Sequence, residues 1–261
     1  MFIVVERNGD NFSIKDTTDG VVETYNSSQI AKILNLGIKI QGFSIKNGKL
    51  TYTDLASDSA IAKRKFITGY DTIIFTEEDT EETAHEKIKN VKAGAKIAVI
   101  NNSNITDMTN MFYYCKASEI DLSNFDTYKV TKMISMFTHC WTLESLNLSN
   151  FDTSKVTNMD NMFYYCESLT SLDLSSFDTS KVTRMNSMFQ ECKSLILLDV
   201  NNFDTSNVTT MESMFAGCES LTSLDISNFI VSETTNIPDM FRDCPAKLIL
   251  PKTGKLANYK R

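Results

Sequence analysis

The sequence predicts an α/β solenoid: a leucine-rich-repeat array of strand, turn and short helix, preceded by a small α+β domain. Three observations predict it. Phe recurs at positions 125, 151, 177, 203 and 229, always 26 residues apart. A Met-Phe pair recurs at 111–112, 136–137, 162–163, 188–189, 214–215 and 240–241. Cysteine follows it at 115, 140, 166, 192, 218 and 244, so all 6 cysteines of the chain hold one repeat position. Self-similarity at such a period marks stacked units, each burying its apolar side only against its neighbours.

Residues 1–54 lack the period and read as the small α+β domain. FIVVER and FSIKD form a hairpin about Asn8-Gly9, a strong two-residue turn signal, and VVETY supplies a third strand. Ser27-Ser28-Gln29 opens a short helix carrying Ile30, Ile33 and Leu34, which Gly37 ends. A second hairpin turns at Asn47-Gly48. Residues 55–70 read as a connector with a basic cluster at Lys63-Arg64-Lys65. Residues 71–104 are expected to cap the array, with a strand in DTIIFT and a helix over 77–93. That helix runs from acidic to basic, as its macrodipole favours. Ala95–Asn101 would be the first strand of the array, which fills residues 105–250 as six units of 25 or 26 residues. Residues 251–261 read as a polar tail. Leu250-Pro251-Lys252-Thr253-Gly254 matches an LPxTG wall-sorting pattern, but no hydrophobic stretch precedes the basic end, so the match is read as accidental.

Within a unit, Leu143-x-x-Leu146-x-Leu148 is a short strand with alternate side chains turned inward. Asn150 to Ser154 is turn chemistry around one buried Phe. Ordinary leucine-rich repeats carry Asn or Cys where Phe151, Phe177 and Phe203 stand, and Phe satisfies no turn amide. Asp126, Asp152, Asp178 and Asp204 are expected to do so instead, as Asx-turn acceptors. Val156, Met159, Met162, Phe163 and Cys166 follow at helical spacing, with Thr157/Asp160 and Thr209/Glu212 as capping boxes. The pattern LxxLxLSNFDTSKVTNMxxMFxxC resembles the repeat of BspA-type leucine-rich-repeat proteins, over roughly residues 105–250. That resemblance implies a curved solenoid used for adhesion or for binding other proteins. The export signal and surface anchor usual in such proteins are not found in this sequence.

Composition narrows the function. A net charge of −7 disfavours direct nucleic-acid binding, which needs clustered Lys and Arg. No run approaches the ~18 apolar residues of a membrane span, and MFIVVERNGDNF lacks the features of a signal peptide, so a cytoplasmic protein is expected. Cysteines at least 25 residues apart do not signal a metal site, and no cofactor is expected. Reduced, inert thiols are expected, because neighbouring helices about 8–10 Å apart would hold them beyond disulfide reach. His85 and His139, the only histidines, complete no nucleophile–base pair, and no phosphate-binding or hydrolase motif occurs, so no enzyme is expected.

Two surfaces are candidates for binding a protein partner with a basic surface. The concave trough presents Glu119, Asp121, Asn147, Asp173, Asp199 and Asp225 between the buried leucines. The aromatic surface presents Tyr113, Tyr114, Trp141, Tyr164 and Tyr165, at slots that vary between repeats, as interface anchors do. A monomeric, non-enzymatic binding module is expected. Alternatives are an intracellular phage- or mobile-element inhibitor whose acidic surface mimics nucleic acid to block a host nuclease, and a surface adhesin.

Overall fold

The computed structural model describes residues 2–8, 11–16, 22–26, 43–46, 49–52, 71–75, 79–101, 103–123 and 125–260. The chain divides into two units, Met1–Asp71 and Thr72–Arg261. In the first, β1 (Phe2–Asn8), β2 (Asn11–Asp16) and β3 (Val22–Asn26) form an antiparallel sheet in chain order. A register shift between Val4 and Glu6 marks a bulge in β1. β4 (Phe43–Lys46) and β5 (Lys49–Tyr52) form a separate antiparallel pair that closes at Lys46↔Lys49. The turn residues Gly9, Asn47 and Gly48, the helix expected at Ile30–Leu34 and the connector 55–70 lie outside the described residues.

Next come β6 (Asp71–Phe75), α1 (Glu81–Lys89) and β7 (Lys96–Asn101). Short strands then recur once per repeat: β8 (Glu119–Asp121), β9 (Ser145–Asn147), β10 (Ser171–Leu172), β11 (Leu197–Leu198), β12 (Ser223–Asp225) and β13 (Lys247–Ile249). β7, β8 and β9 pair in parallel, as do β10 with β11 and β12 with β13. Each strand from β8 to β12 turns one apolar residue inward (Ile120, Leu146, Leu172, Leu198, Leu224) and leaves its neighbours at the surface, while Leu248 of β13 is half-buried. The result is a repeat array of strand units.

α1 forms because both its ends are chemically marked. Thr80 Oγ1 accepts from Thr83 N at 3.3 Å while Thr83 Oγ1 accepts from Thr80 N at 3.0 Å, a reciprocal cap. Glu81 and Glu82 lie in its first turn, Lys87 and Lys89 in its last. Ala84 and Ile88 are fully buried in the core.

The short helix expected in each repeat does not form; among the described residues α1 is the only helix. The helical spacing of Val156, Met159, Met162, Phe163 and Cys166 does mark buried positions, but the backbone beneath them is a run of turns. Met162 N donates to Met159 O at 3.3 Å, Tyr164 N to Asn161 O at 3.1 Å and Cys166 N to Phe163 O at 3.1 Å. The intervening amides reach across to the next repeat. Met159, Asn161, Phe163 and Tyr165 donate to Arg184, Asn186, Met188 and Gln190 carbonyls at 2.8–3.0 Å. Every other N–H is thus spent between repeats, as in a parallel ladder, and an i→i−4 helix cannot form. The alternation requires left-handed residues four apart, here Asn161 (φ 59°) and Tyr165 (φ 60°), and the same pairs recur from Asn110/Tyr114 to Asp239/Asp243. The expected capping boxes dissolve for the same reason: Thr157 N and Thr209 N donate to Thr131 O and Thr183 O one repeat back. Asp160 accepts from Asn186 N at 2.8 Å and pairs with Arg184 Nε at 2.7 Å.

Inside, Phe112, Phe137, Phe163, Phe189, Phe215 and Phe241 form one stacked column with centroids 5.0–5.8 Å apart. Phe125, Phe151 and Phe177 stack in a second column at 5.9–6.1 Å. A ring turned edge-on meets each end: Phe75 lies 5.7 Å from Phe125, and Tyr259 lies 5.0 Å from Phe241. The segment expected as a polar tail is therefore packed, with Leu256 fully buried.

The turn amides beside the second column are satisfied by two sets of side chains. Asp126, Asp152, Asp178 and Asp204 each accept, through Oδ1, the N–H two residues on, at 2.9–3.0 Å. A buried threonine ladder supplies the rest. Thr127, Thr153 and Thr179 each donate Oγ1–H to the Asp carbonyl of the next repeat at 2.8–3.0 Å and accept that residue's N–H at 2.8 Å.

These turns give the array a pH dependence. Hydroxyl and backbone hydrogen bonds from Ser154, Ser180 and Ser206 hold the Asp152, Asp178 and Asp204 carboxyls below their ordinary value. A carboxyl depressed in the folded state contributes stability that is complete above its unfolded pKa, about 3.9, and is lost as pH falls through the folded value. Thermal melts followed by circular dichroism should hold steady from about pH 7 to 5 and fall below about pH 4. A melting temperature that stays flat down to about pH 3 would contradict this.

Candidate functional site

The repeat register brings the variable slots of three successive units into contact. Tyr114, His139 and Tyr165 occupy the same left-handed position, one per repeat. Tyr114 and His139 are stacked, with centroids 4.8 Å apart and planes at 24°. His139 then meets Tyr165 at 5.0 Å, Tyr164 at 5.5 Å and Trp141 at 5.4 Å. Trp141 stands edge-on to Tyr114 at 5.0 Å. Tyr113 packs at right angles to Tyr114 at 4.3 Å, as Tyr164 does to Tyr165 at 4.5 Å. The predicted aromatic residues are one contiguous patch. Trp141 is 45% exposed and Tyr114 41% exposed, so the patch reaches the surface.

His139 is its centre, and reading the sequence by chemistry alone passes over it. The signal was present, because His139 fills the slot between Tyr114 and Tyr165. Its Nδ1 is buried without a hydrogen-bond partner, and burial pulls its pKa below the usual histidine value against a weaker opposing pull from Glu167. That direction favours the uncharged ring. Around Tyr165 the border is charged: Lys193 Nζ lies 5.9 Å from the ring centre and pairs with Glu167 at 2.9 Å and Glu191 at 3.5 Å.

The strand face is built differently. Asp121 stands opposite Asn147, and Glu119 opposite Ser145. Glu119 forms an ion pair with Lys96. Asp121, Asn147, Asp173, Asp199 and Asp225 each accept, through Oδ1, the N–H two residues on, at 2.8–3.1 Å. The column ends each strand in an Asx turn, so its Asp and Asn have a structural role before any other. Asp173 and Asp199 remain exposed, and hydrogen bonds from Ser175 hold the Asp173 carboxyl below its usual value. Beside them Ile196 and Leu197 are also exposed, which interrupts the polar character expected of this face.

The thiols face inward. Cys140, Cys166, Cys192 and Cys218 donate to Phe112, Phe137, Phe163 and Phe189 carbonyls at 3.1–3.2 Å. The helices whose wide spacing was expected to part the thiols do not form among the described residues, and all six thiols are free and buried. Burial pushes the Cys192 thiol up to about 12, and the Cys115 thiol likewise to about 12. Nucleophilic attack needs the thiolate. A disulfide-exchange dye should label none of the 6 cysteines in the native protein and all 6 in denaturant; fast native labelling would refute this. Among the described residues no group of three or more His, Cys, Asp or Glu is placed to hold a metal ion. Among them too, no helix is long and apolar enough to cross a membrane.

A family described as "Mycoplasma protein of unknown function, DUF285" matches residues 82–195 and again residues 168–248. The chain belongs to this family. No curated protein and no solved structure matches it. The two DUF285 matches overlap at 168–195, as a periodic chain allows. They span α1 and the repeats, and the whole aromatic patch lies inside the first of them.

Proposed function

We propose that this DUF285 chain is a non-enzymatic protein-binding module of the BspA type, whose repeats form a solenoid that presents a partner-binding surface. The observation that carries the reading is the division of labour within each repeat. Met, Phe and Cys recur unchanged and are buried, whereas the slots between them range over Tyr, His, Gln, Glu, Ala, Gly, Arg, Thr and Asp. Where those slots hold aromatics in adjacent repeats, they merge into an open patch at no cost to the core. Exposed Tyr and Trp clusters are the residues from which interface hot spots are built.

A second reading rests on the exposed Asp173 and Asp199, which would present charge to a basic channel, as an intracellular inhibitor that mimics nucleic acid would. The adhesin alternative rests on the BspA resemblance alone. Affinity capture with the tagged full chain separates the first two, using Trp141→Ala/Tyr165→Ala and Asp173→Asn/Asp199→Asn variants with matched melting temperatures. The aromatic variant should lose the captured protein and the strand-face variant should keep it. The opposite pattern, with capture falling steeply in salt, would favour the inhibitor. Capture unaffected by either variant would remove both surfaces.

A further inference from the structure

Resting on the binding-module reading, we infer that the aromatic patch takes an arginine side chain from a basic segment of the partner protein, laid against Trp141 and Tyr165. The molecule already seats one cation of its own in this corner. Lys193 lies over Tyr165, held by two carboxylates, Glu167 at 2.9 Å and Glu191 at 3.5 Å. Two carboxylates shared by one ammonium leave that edge of the patch net negative. Trp141 occupies, one repeat earlier, the same slot as Glu167, so parallel stacking puts the indole beside the excess charge.

A cation is attracted both by an aromatic face and by a neighbouring anion, and the two add where water is partly excluded. The indole, 45% exposed and nearly perpendicular to Tyr114, supplies open aromatic surface. The centre of the patch is not built to hold a competing cation, because burial disfavours the charged form of His139 and its Nδ1 has no hydrogen-bond partner. On the far side of Trp141 the same slot holds exposed Lys116, so the field runs from positive at Lys116 to negative at Glu167 and directs the guest towards Tyr165. Guanidinium fits better than ammonium. It is planar, stacks flat on indole, is weakly hydrated, and keeps its N–H edge free to reach a carboxylate. A neutral sugar would gain the stacking and nothing from the charge.

The chain has 1 tryptophan, so emission excited selectively from tryptophan, and not from the 9 tyrosines, reports on this patch alone. The full chain would be titrated at about 0.15 M salt, where exposed charges beyond about 8 Å are screened. The probes are hexa-arginine, hexa-lysine and maltohexaose. Hexa-arginine should shift or quench the emission saturably, at least tenfold more tightly than hexa-lysine, and maltohexaose should do nothing. Tyr165→Ala and Glu167→Gln should each weaken hexa-arginine several-fold, Tyr165→Phe should preserve it, and Asp173→Asn/Asp199→Asn should leave it unchanged. Equal binding of the two peptides, loss confined to the strand-face variant, or saturation by maltohexaose would overturn the inference. Should hexa-arginine fail while Trp141→Ala/Tyr165→Ala still abolishes protein capture, the guest is wrong and the binding module stands. Should both fail, the patch is not the binding surface.

Discussion

Phe163→Ala is expected to cost about 3–5 kcal/mol, the range for truncating a fully buried Phe. Phe163 is fully buried, and its ring lies 5.6 Å from both Phe137 and Phe189, nearly parallel to each. Removing it deletes two ring contacts and opens a cavity that neighbours cannot close. Their backbones are pinned, because Phe163 N donates to Met188 O and Cys192 Sγ donates to Phe163 O. In a repeat array, stability is close to a sum of repeat terms and nearest-neighbour terms, so a central defect weakens the coupling of the two halves. Urea denaturation should show an early transition in the variant, and Trp141, in the adjoining repeat, should report it. Phe163→Leu, which refills most of the volume, should lose markedly less. Tyr165→Ala changes a half-buried ring two residues away and should cost far less than Phe163→Ala. Equal losses at the two positions would mean that the stacked column is not the source of stability.

That contrast shows how far the sequence could be read. The period, the buried set and the short strands follow from spacing alone, since any structure that repeats every 26 residues brings Phe137, Phe163 and Phe189 together. Backbone conformation does not follow, because residues at +3, +6, +7 and +10 are buried by a helix and equally by a run of turns whose alternate amides bond to the next repeat. The deciding residues were visible at 110, 135, 161, 187, 213 and 239, where Asn, Ser or Asp recurs; Asn and Asp are among the few residues that enter left-handed backbone readily. The threonine ladder was hidden for a related reason. Thr127, Thr153 and Thr179 sit in a Ser/Thr/Asp-rich turn, and only the stacking register shows that their hydroxyls bond one repeat ahead. At the candidate site, Tyr and Trp were legible as candidate anchors. The role of His139 was not, because it comes from the rings on either side.

Gly254→Ala is expected to detach the C-terminal cap. Gly254 has φ +79°, a conformation that costs an L residue about 1–2 kcal/mol. An added Cβ would also lie 2.4 Å from the Val231 carbonyl oxygen, a backbone atom that cannot swing aside. The close approach is functional for the cap, because Lys255 N donates to that same oxygen at 2.9 Å and Lys255 Nζ reaches Thr235 O at 2.7 Å. These bonds aim Leu256 into the core and Tyr259 onto Phe241, which ends the ring column. With the segment displaced, Phe241 and the apolar side of the last repeat face water, and fraying should begin there. Trypsin should then cut the variant after Lys255 faster than the parent, and its melting temperature should fall. Thr253→Ala, at an exposed neighbour, should change stability by no more than about 0.5 kcal/mol. Unchanged cleavage in Gly254→Ala would show that the tail does not hold the array closed. If the cap does fail, the Gly of the LPKTG stretch is explained by packing. Pro251 is buried in the same segment and Leu250 packs against the core, so three of its five residues answer to the fold before any sorting signal.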